Sequence, residues 1–176
     1  RARTLLREDR ADEAVAVLQT AVREGPYHED LRYMLGQVME RHASPDAMVD
    51  FFSAEVGRDQ KPQTSHYFWA IGLARRGDVD GAVAHLRQAL EIDPGCDDAM
   101  VGIGHLCVIS GKMKEAEAMI DKALGVNPGN LEARLLLASI RKAKAGDGNL
   151  SALLAAEEAA RNSRSAIPGN QKISLQ

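Results

Sequence analysis

Large and small apolar residues return along this chain in pairs at a constant distance. Leu35-Gly36, Trp69-Ala70, Ile103-Gly104 and Leu137-Ala138 are successive pairs 34 residues apart. A second ladder of small residues, Ala14, Ala47, Ala82, Ala116 and Ala152, alternates with them. Each of these is followed seven residues later by another alanine: Ala21, Ala54, Ala89, Ala123 and Ala159. Between the rungs, apolar residues fall at helical spacing. Trp69, Ala70 and Leu73 share one face; Val79, Ala82, Val83, Leu86, Ala89 and Leu90 share the next. Pro94 and Pro128 keep the same 34-residue distance, and Pro26 lies two periods before Pro94. A fixed period of this length denotes a stacked repeat array, each unit burying its apolar face on its neighbours.

The pattern predicts an all-α chain of helix pairs. Helices are expected at 11–24 (after a partial partner), 29–42 with 45–57, 64–76 with 79–92, 97–110 with 113–126, and 131–144 with 149–162. Gly77-Asp78 and Ser110-Gly111 turn one helix into its partner, while Asp93-Pro94-Gly95 and Asn127-Pro128-Gly129 close a unit. Ser44-Pro45-Asp46 has the form of a helix start: a cap, a first-turn proline and an acid near the positive end. Asp97-Asp98 and Asp12-Glu13 also place acids in first turns. Glycine or alanine on the ladders lets a facing helix approach closely. The spacing is uneven in places. Gly36 to Ala47 is 11 residues, whereas Ala70 to Ala82 is 12. This implies a shortened turn at 42–44, an extra residue near 57–63, and two more in 145–149.

Composition narrows the function. The 176 residues carry 27% charged and only 4% aromatic side chains, with a net charge of −3. Mixed signs with no basic face argue against nucleic acid. No run of roughly 18 apolar residues is present for a membrane span. Cys96 and Cys107 offer no disulfide scaffold: one lies in a turn, the other on an apolar helix face. Gly102-x-Gly104 sits inside a helix, without the preceding strand of a dinucleotide motif. His28, His42, His66 and His85 show no i, i+4 pairing. Arg1, Arg3, Arg7 and Arg10 describe a solvated helix face. The sequence points to no catalytic residue, no metal and no cofactor.

The units resemble the tetratricopeptide repeat, W-x2-L-G-x2-Y…A-x3-F…P. Its first half appears as Arg32-x2-Leu35-Gly36-x2-Met39, His66-x2-Trp69-Ala70-x2-Leu73, Met100-x2-Ile103-Gly104-x2-Cys107 and Arg134-x2-Leu137-Ala138-x2-Arg141. The second half appears as Ala47-x3-Phe51, Ala82-x3-Leu86…Pro94 and Ala116-x3-Ile120…Pro128. The opening tryptophan is missing from every unit. The resemblance implies a right-handed α-solenoid with a partial repeat at 1–28, units at 29–62, 63–96, 97–130 and 131–165, and a short remainder at 166–176. It also implies a non-catalytic scaffold that binds a protein or peptide on its concave side. Three rows of the first helices line that side. They are Tyr33, Tyr67, Val101 and Leu135; then Gln37, Ile71, His105 and Ser139; then Glu40, Ala74, Val108 and Lys142, with Arg41 and Arg75 adjacent. Lysine and asparagine are absent from the first two rows, which argues against a clamp for a partner's C-terminal carboxylate.

The tail, Ala166-Ile167-Pro168-Gly169-Asn170 and onward, resembles the end of the repeat region in bacterial proteins that carry a sulfotransferase-like domain downstream. The alternative function is therefore a recruiting or dimerising arm of a larger enzyme. Both ends look ragged. Leu5 and Leu6 open the chain, and Ile173 and Leu175 begin an apolar face near its end. The expectation is a fragment of a longer cytoplasmic protein that associates weakly with itself through a terminus.

Overall fold

The computed structural model describes residues 1–25, 29–58 and 61–146. Among the described residues there are nine helices and no strand: α1 (Ala2–Arg7), α2 (Ala11–Glu24), α3 (Glu29–His42), α4 (Pro45–Val56), α5 (Gln63–Arg75), α6 (Val79–Ile92), α7 (Asp97–Ile109), α8 (Met113–Val126) and α9 (Leu131–Lys144). These helices match the expected ones to within one residue at either end. The helix expected at 149–162, the tail resemblance and the apolar residues near the C-terminus lie outside the described residues. None of the described helices is long and apolar enough to cross a membrane.

Each helix packs antiparallel on the next, and the apolar core runs along the stack. One cluster joins Leu18, Leu35, Met48, Phe52 and Phe68. A second joins Ala70, Ala82, Leu86 and Ile103, and a third joins Val101, Ala116, Ile120, Leu136 and Ile140. Tyr67 and Trp69 touch both of the first two clusters, so the core has no break between units. At the start of the chain Leu5 is buried and Arg1, Arg3, Arg7 and Arg10 are exposed, but they do not form one helix face: α1 holds only Arg3 and Arg7, and Arg10, at the head of α2, pairs with Glu8 at 3.0 Å and Glu13 at 2.6 Å.

The starts and stops follow local chemistry. The Ser44 hydroxyl accepts from the Ala47 N–H at the head of α4, with Pro45 in the first turn. Asp78 caps α6 through the Gly81 N–H at 2.9 Å, and Asn130 caps α9 through the Ala133 N–H at 2.9 Å. The turns into α6 and α8 need a left-handed residue, which Gly77 (φ 86°) and Gly111 (φ 73°) supply. In the unit-closing turns, the side chains of Asp93 and Asn127 accept from the backbone N–H of Gly95 and Gly129.

The register differs from the sequence reading at α4. Ala47 is exposed, while Met48 is fully buried. Ala14, Met48, Ala82 and Ala116 all have 0% exposure and stand 34 residues apart. Leu18, Phe52, Leu86 and Ile120 follow one turn later, all buried. There is consequently no shortened turn at 42–44 and no insertion at 57–63. Ala47 and Ala54 lie on the solvent side, and the ladder positions in α4 are Met48 and Glu55. Glu55 is buried and meets Arg58 at 3.5 Å. Ala138 also departs from expectation: it is exposed, and the helix expected to cover it lies outside the described residues.

Gly36 and Gly104 are both buried close approaches, but to different partners. A Cβ on Gly36 would run into the ring of Phe68, on the first helix of the next unit. A Cβ on Gly104 would lie 2.6 Å from Cδ1 of Ile120, on the second helix of its own pair. Ala70 is fully buried as well.

Candidate inner-face binding site

The first helices of the units lie side by side, α3 on α5, α5 on α7 and α7 on α9. The Tyr33 hydroxyl in α3 donates to Asp98 Oδ2 in α7 at 2.8 Å, passing over α5. Packed neighbouring helices sit ~8–10 Å apart, so helices two places apart in a flat layer would be separated by roughly twice that. Direct contact between a tyrosine and an aspartate at that remove requires the layer to curve toward this face. The inner side of the curve is therefore the face of α3, α5 and α7 that carries Tyr33, Tyr67 and Asp98.

The centre of this face is aromatic and acidic. The Tyr33 ring is 36% exposed and meets Phe68 edge-on at 5.5 Å. Burial, then the hydrogen bond to Asp98, pushes the Tyr33 hydroxyl well above the usual tyrosine range. Tyr67 is half-buried between the first two units. Its hydroxyl is likewise raised, by burial first and then by the charges of Asp98, Glu40 and Glu132. Burial also raises the Asp98 carboxyl; the Tyr33 hydrogen bond opposes that rise, and Asp97 and Glu132 add to it. His105 Nε2 lies 3.2 Å from Glu132 Oε1 on α9. Behind Asp98, Asp97 Oδ2 accepts from Asn127 Nδ2 at 2.8 Å and Asn130 Nδ2 at 2.7 Å, tying the start of α7 to the loop before α9.

The candidate residues divide into three sets. Tyr33, Gln37, Arg41, Leu135 and Lys142 are exposed or nearly so, and Tyr67, Ile71 and His105 are partly buried. Val101 and Ser139 are buried, as is Val108. Val101 and Val108 belong to the core between α7, α8 and α9, so these rows turn inward at that end of the array. Arg75 is engaged in structure: its guanidinium donates to the Ala43 carbonyl and to Met48 Sδ, both at 3.2 Å, bracing the turn between α3 and α4. Asp98 is a member of the face that sequence spacing passed over. It reads as a first-turn acid, and only the tertiary contact with Tyr33 gives it a second place.

Two tetratricopeptide repeat family profiles match the chain, one over residues 1–63 and one over residues 73–140. The chain belongs to the tetratricopeptide repeat family. Solved structures agree on the fold. YrrB, described as a tetratricopeptide repeat protein with an unusual peptide-binding site, is 25% identical with a TM-score of 0.58, over 76% of this chain and 69% of that one. A thermophilic tetratricopeptide repeat protein of Thermus thermophilus is 18% identical with a TM-score of 0.67, over 83% of this chain and 80% of that one. The first tetratricopeptide repeat domain of Spaghetti (RPAP3), bound to the HSP90 peptide SRMEEVD, is 19% identical with a TM-score of 0.57, over 65% of this chain and 91% of that one. No curated protein matches.

Where a tetratricopeptide repeat opens with tryptophan, this chain has Arg32, His66, Met100 and Arg134, and the first three are buried. At His66 the replacement makes a pair that sequence spacing gave no sign of. His66 Nδ1 lies 3.1 Å from Nδ1 of His85 on α6. Trp69 stacks on His85 with ring centroids 3.7 Å apart. Burial lowers the pKa of both imidazoles, and the neighbouring His85 lowers that of His66 further. Burial thus favours the neutral form of both rings, in which one nitrogen of the pair can donate and the other accept. Among the described residues no group of three or more His, Cys, Asp or Glu side chains is placed to hold a metal.

Proposed function

We propose that this chain is a non-catalytic scaffold that holds an extended peptide segment of a protein partner on its inner face. The units that do so are 29–62, 63–96, 97–130 and 131–165. The observation that carries the reading is the pair Tyr33 and Tyr67. Two large rings from successive first helices carry this face, Tyr33 partly exposed and Tyr67 half-buried, both held by edge contacts with Phe68 at 5.5 and 4.9 Å. Rigid aromatic surface with a polar tip is the material of which binding anchors are made. Gln37, Ile71 and Leu135 extend the contact along α3, α5 and α9. The peptide sites of YrrB and of the RPAP3 domain lend support by analogy of fold. The test is capture of partners from a lysate of the source cells by the chain and by its Tyr33→Ala/Tyr67→Ala variant. Loss of an anchor at a packed site costs about 2 kcal/mol or more, roughly thirtyfold in affinity. A partner retained equally by both would place binding elsewhere on the solenoid.

A further inference from the structure

The His66–His85 cluster is not used by the inner face. His66 stands on α5 and His85 on α6, so the two rings meet inside one helix pair. Their planes are 19° apart with centroids at 5.3 Å, and the two Nδ1 atoms face each other at 3.1 Å. Two nitrogens that share one transition ion at ~2.0–2.1 Å stand about 2.9 Å apart when cis in an octahedron and about 3.3 Å apart in a tetrahedron. The observed spacing falls between those values. The rings are also held in place. Trp69 stacks on His85 at 3.7 Å and on His66 at 6.2 Å, and Gln88 hydrogen-bonds His85. A fixed hydrogen-bond partner is what orients a ligating imidazole. Trp69 Nε1 is buried with no hydrogen-bond partner among the described residues. A buried N–H of this kind calls for an acceptor that the surrounding side chains do not provide, such as a water carried by an ion. His66 is buried, while His85 is partly exposed and gives the cluster an opening to solvent.

We propose that His66 and His85 form a two-imidazole site for a divalent transition ion, Cu²⁺ above Ni²⁺ and Zn²⁺, bound through both Nδ1 atoms with water completing the coordination. Imidazole suits all three ions, and among them Cu²⁺ stands highest in the general order of affinity. The step balances without an oxidant, a reductant or a net release of protons. In the hydrogen-bonded pair one ring carries its proton on Nδ1. That proton passes to solvent, and one from solvent joins Nε2 of the same ring. Both Nδ1 lone pairs then turn to the ion, and each neutral ring keeps one N–H. The hydrogen bond given up is a neutral one, weak beside two metal–nitrogen bonds. Burial that disfavours imidazolium also reduces competition from protons for the same lone pairs. The ion would tie α5 to α6. The site is independent of the peptide-binding reading, since His85 belongs to a second helix and lies off the inner face.

The single tryptophan supplies the readout on the 176-residue chain. Cu²⁺ or Ni²⁺ titrated into the chain should quench Trp69 emission saturably at one equivalent, because the ion sits beside the ring on which Trp69 stacks. Zn²⁺, with its filled d shell, should leave the emission bright and reverse the Ni²⁺ effect by competition. His66→Gln and His85→Gln should each weaken the binding read by quenching about tenfold or more. Loss of an outer hydrogen-bond partner already costs about 10–100-fold, and loss of a ligand costs no less. His28→Gln/His42→Gln leaves the pair intact and should be quenched as the parent chain is. If circular dichroism shows a pair variant unfolded, EPR of the Cu²⁺ complex of His28→Gln/His42→Gln decides: two coordinated imidazole nitrogens uphold the site, and one or none overturns it. Quenching that never saturates, or that survives unchanged in folded His66→Gln and His85→Gln, would overturn the proposal. So would tight Cu²⁺ binding that leaves Trp69 emission unaltered.

Discussion

The pairs around Gly36 and Gly104 occupy the same register positions and solve the same packing problem in different ways. Around Gly36 the filling is aromatic and comes from the neighbouring unit. Phe68 fills the notch and stacks on Phe52 at 5.4 Å, while Met48 takes the place that alanine holds elsewhere. Around Gly104 the filling is aliphatic and comes from the same pair: Ile120 enters the notch and Ala116 and Ala123 flank it, all at 0% exposure. Register fixes where a notch occurs. It does not fix which helix fills it. A unit with large residues on its second helix, Met48 and Phe52, takes its filler from the next unit; one with alanines there draws the two helices of its own pair together. The first arrangement puts the stabilising contact between units and the second puts it within one.

Phe68→Ala should have the largest effect on that comparison, ~3–5 kcal/mol, because it removes a buried ring shared by two units. Chemical denaturation with probes in each half would show both losing stability together; loss confined to one half would mean that the ring does not join them. Met48→Ala should cost ~2–5 kcal/mol, whereas Ala47→Ser should stay within about 0.5 kcal/mol, since only Met48 is buried. Equal melting temperatures for these two variants would restore the register drawn through Ala47. Next in size is Gly36→Ala, at ~1–3 kcal/mol from overpacking against a buried ring. Gly104→Ala should be milder, under ~1 kcal/mol. The terminal methyl of Ile120 can swing aside, and the gain in helix propensity of about 1 kcal/mol offsets part of the strain. Gly104→Leu, too large for the notch, should return to the ~1–3 kcal/mol range.

The smallest effect should be that of pH. His66 and His85 have lowered pKa values in the fold, so the unfolded chain takes up protons first as pH falls. Stability from the neutral pair is thus complete above the ordinary histidine value of 6.5 and is lost progressively below it. Gln88 hydrogen-bonds His85 and Asp78 acts on it electrostatically, both favouring protonation and so softening the loss. The chain has one tryptophan, Trp69, stacked on His85, and its emission reports the transition directly. A melting temperature unchanged between about pH 7.5 and about pH 5.5, or one that falls equally in His85→Gln, would remove the pair from the account.

Most of the fold was legible because periodicity is redundant. A face repeated at 34-residue intervals tolerates several poor positions, and the caps at Ser44, Asp78 and Asn130 mark the same boundaries independently. The error at Ala47 came from treating alanine as the marker of close packing. Small size is one solution at a buried position; Met48 fills the same position when the space opposite it is larger. The site was less legible. Tyr33, Tyr67 and His105 follow from register alone. Asp98 and the His66–His85 pair depend on side chains 65 and 19 residues apart meeting across helices, which no single-helix pattern encodes. The burial of Val101 and Ser139 reflects how α7 and α9 rotate against their neighbours, and a fixed row assignment assumes that rotation to be constant.

A stack in which every unit touches only the next behaves like a row of dominoes: it can fray one piece at a time, and its bend is the sum of independent joints. The Tyr33–Asp98 bond skips one place in that row. It acts as a chord drawn across an arc, setting the distance between first and third pieces and so the angle of the two joints beneath it. Straightening the coil requires breaking the chord, and peeling away either end loosens a joint that the end does not itself form. The inner surface here is closer to a braced arch than to a hinged chain.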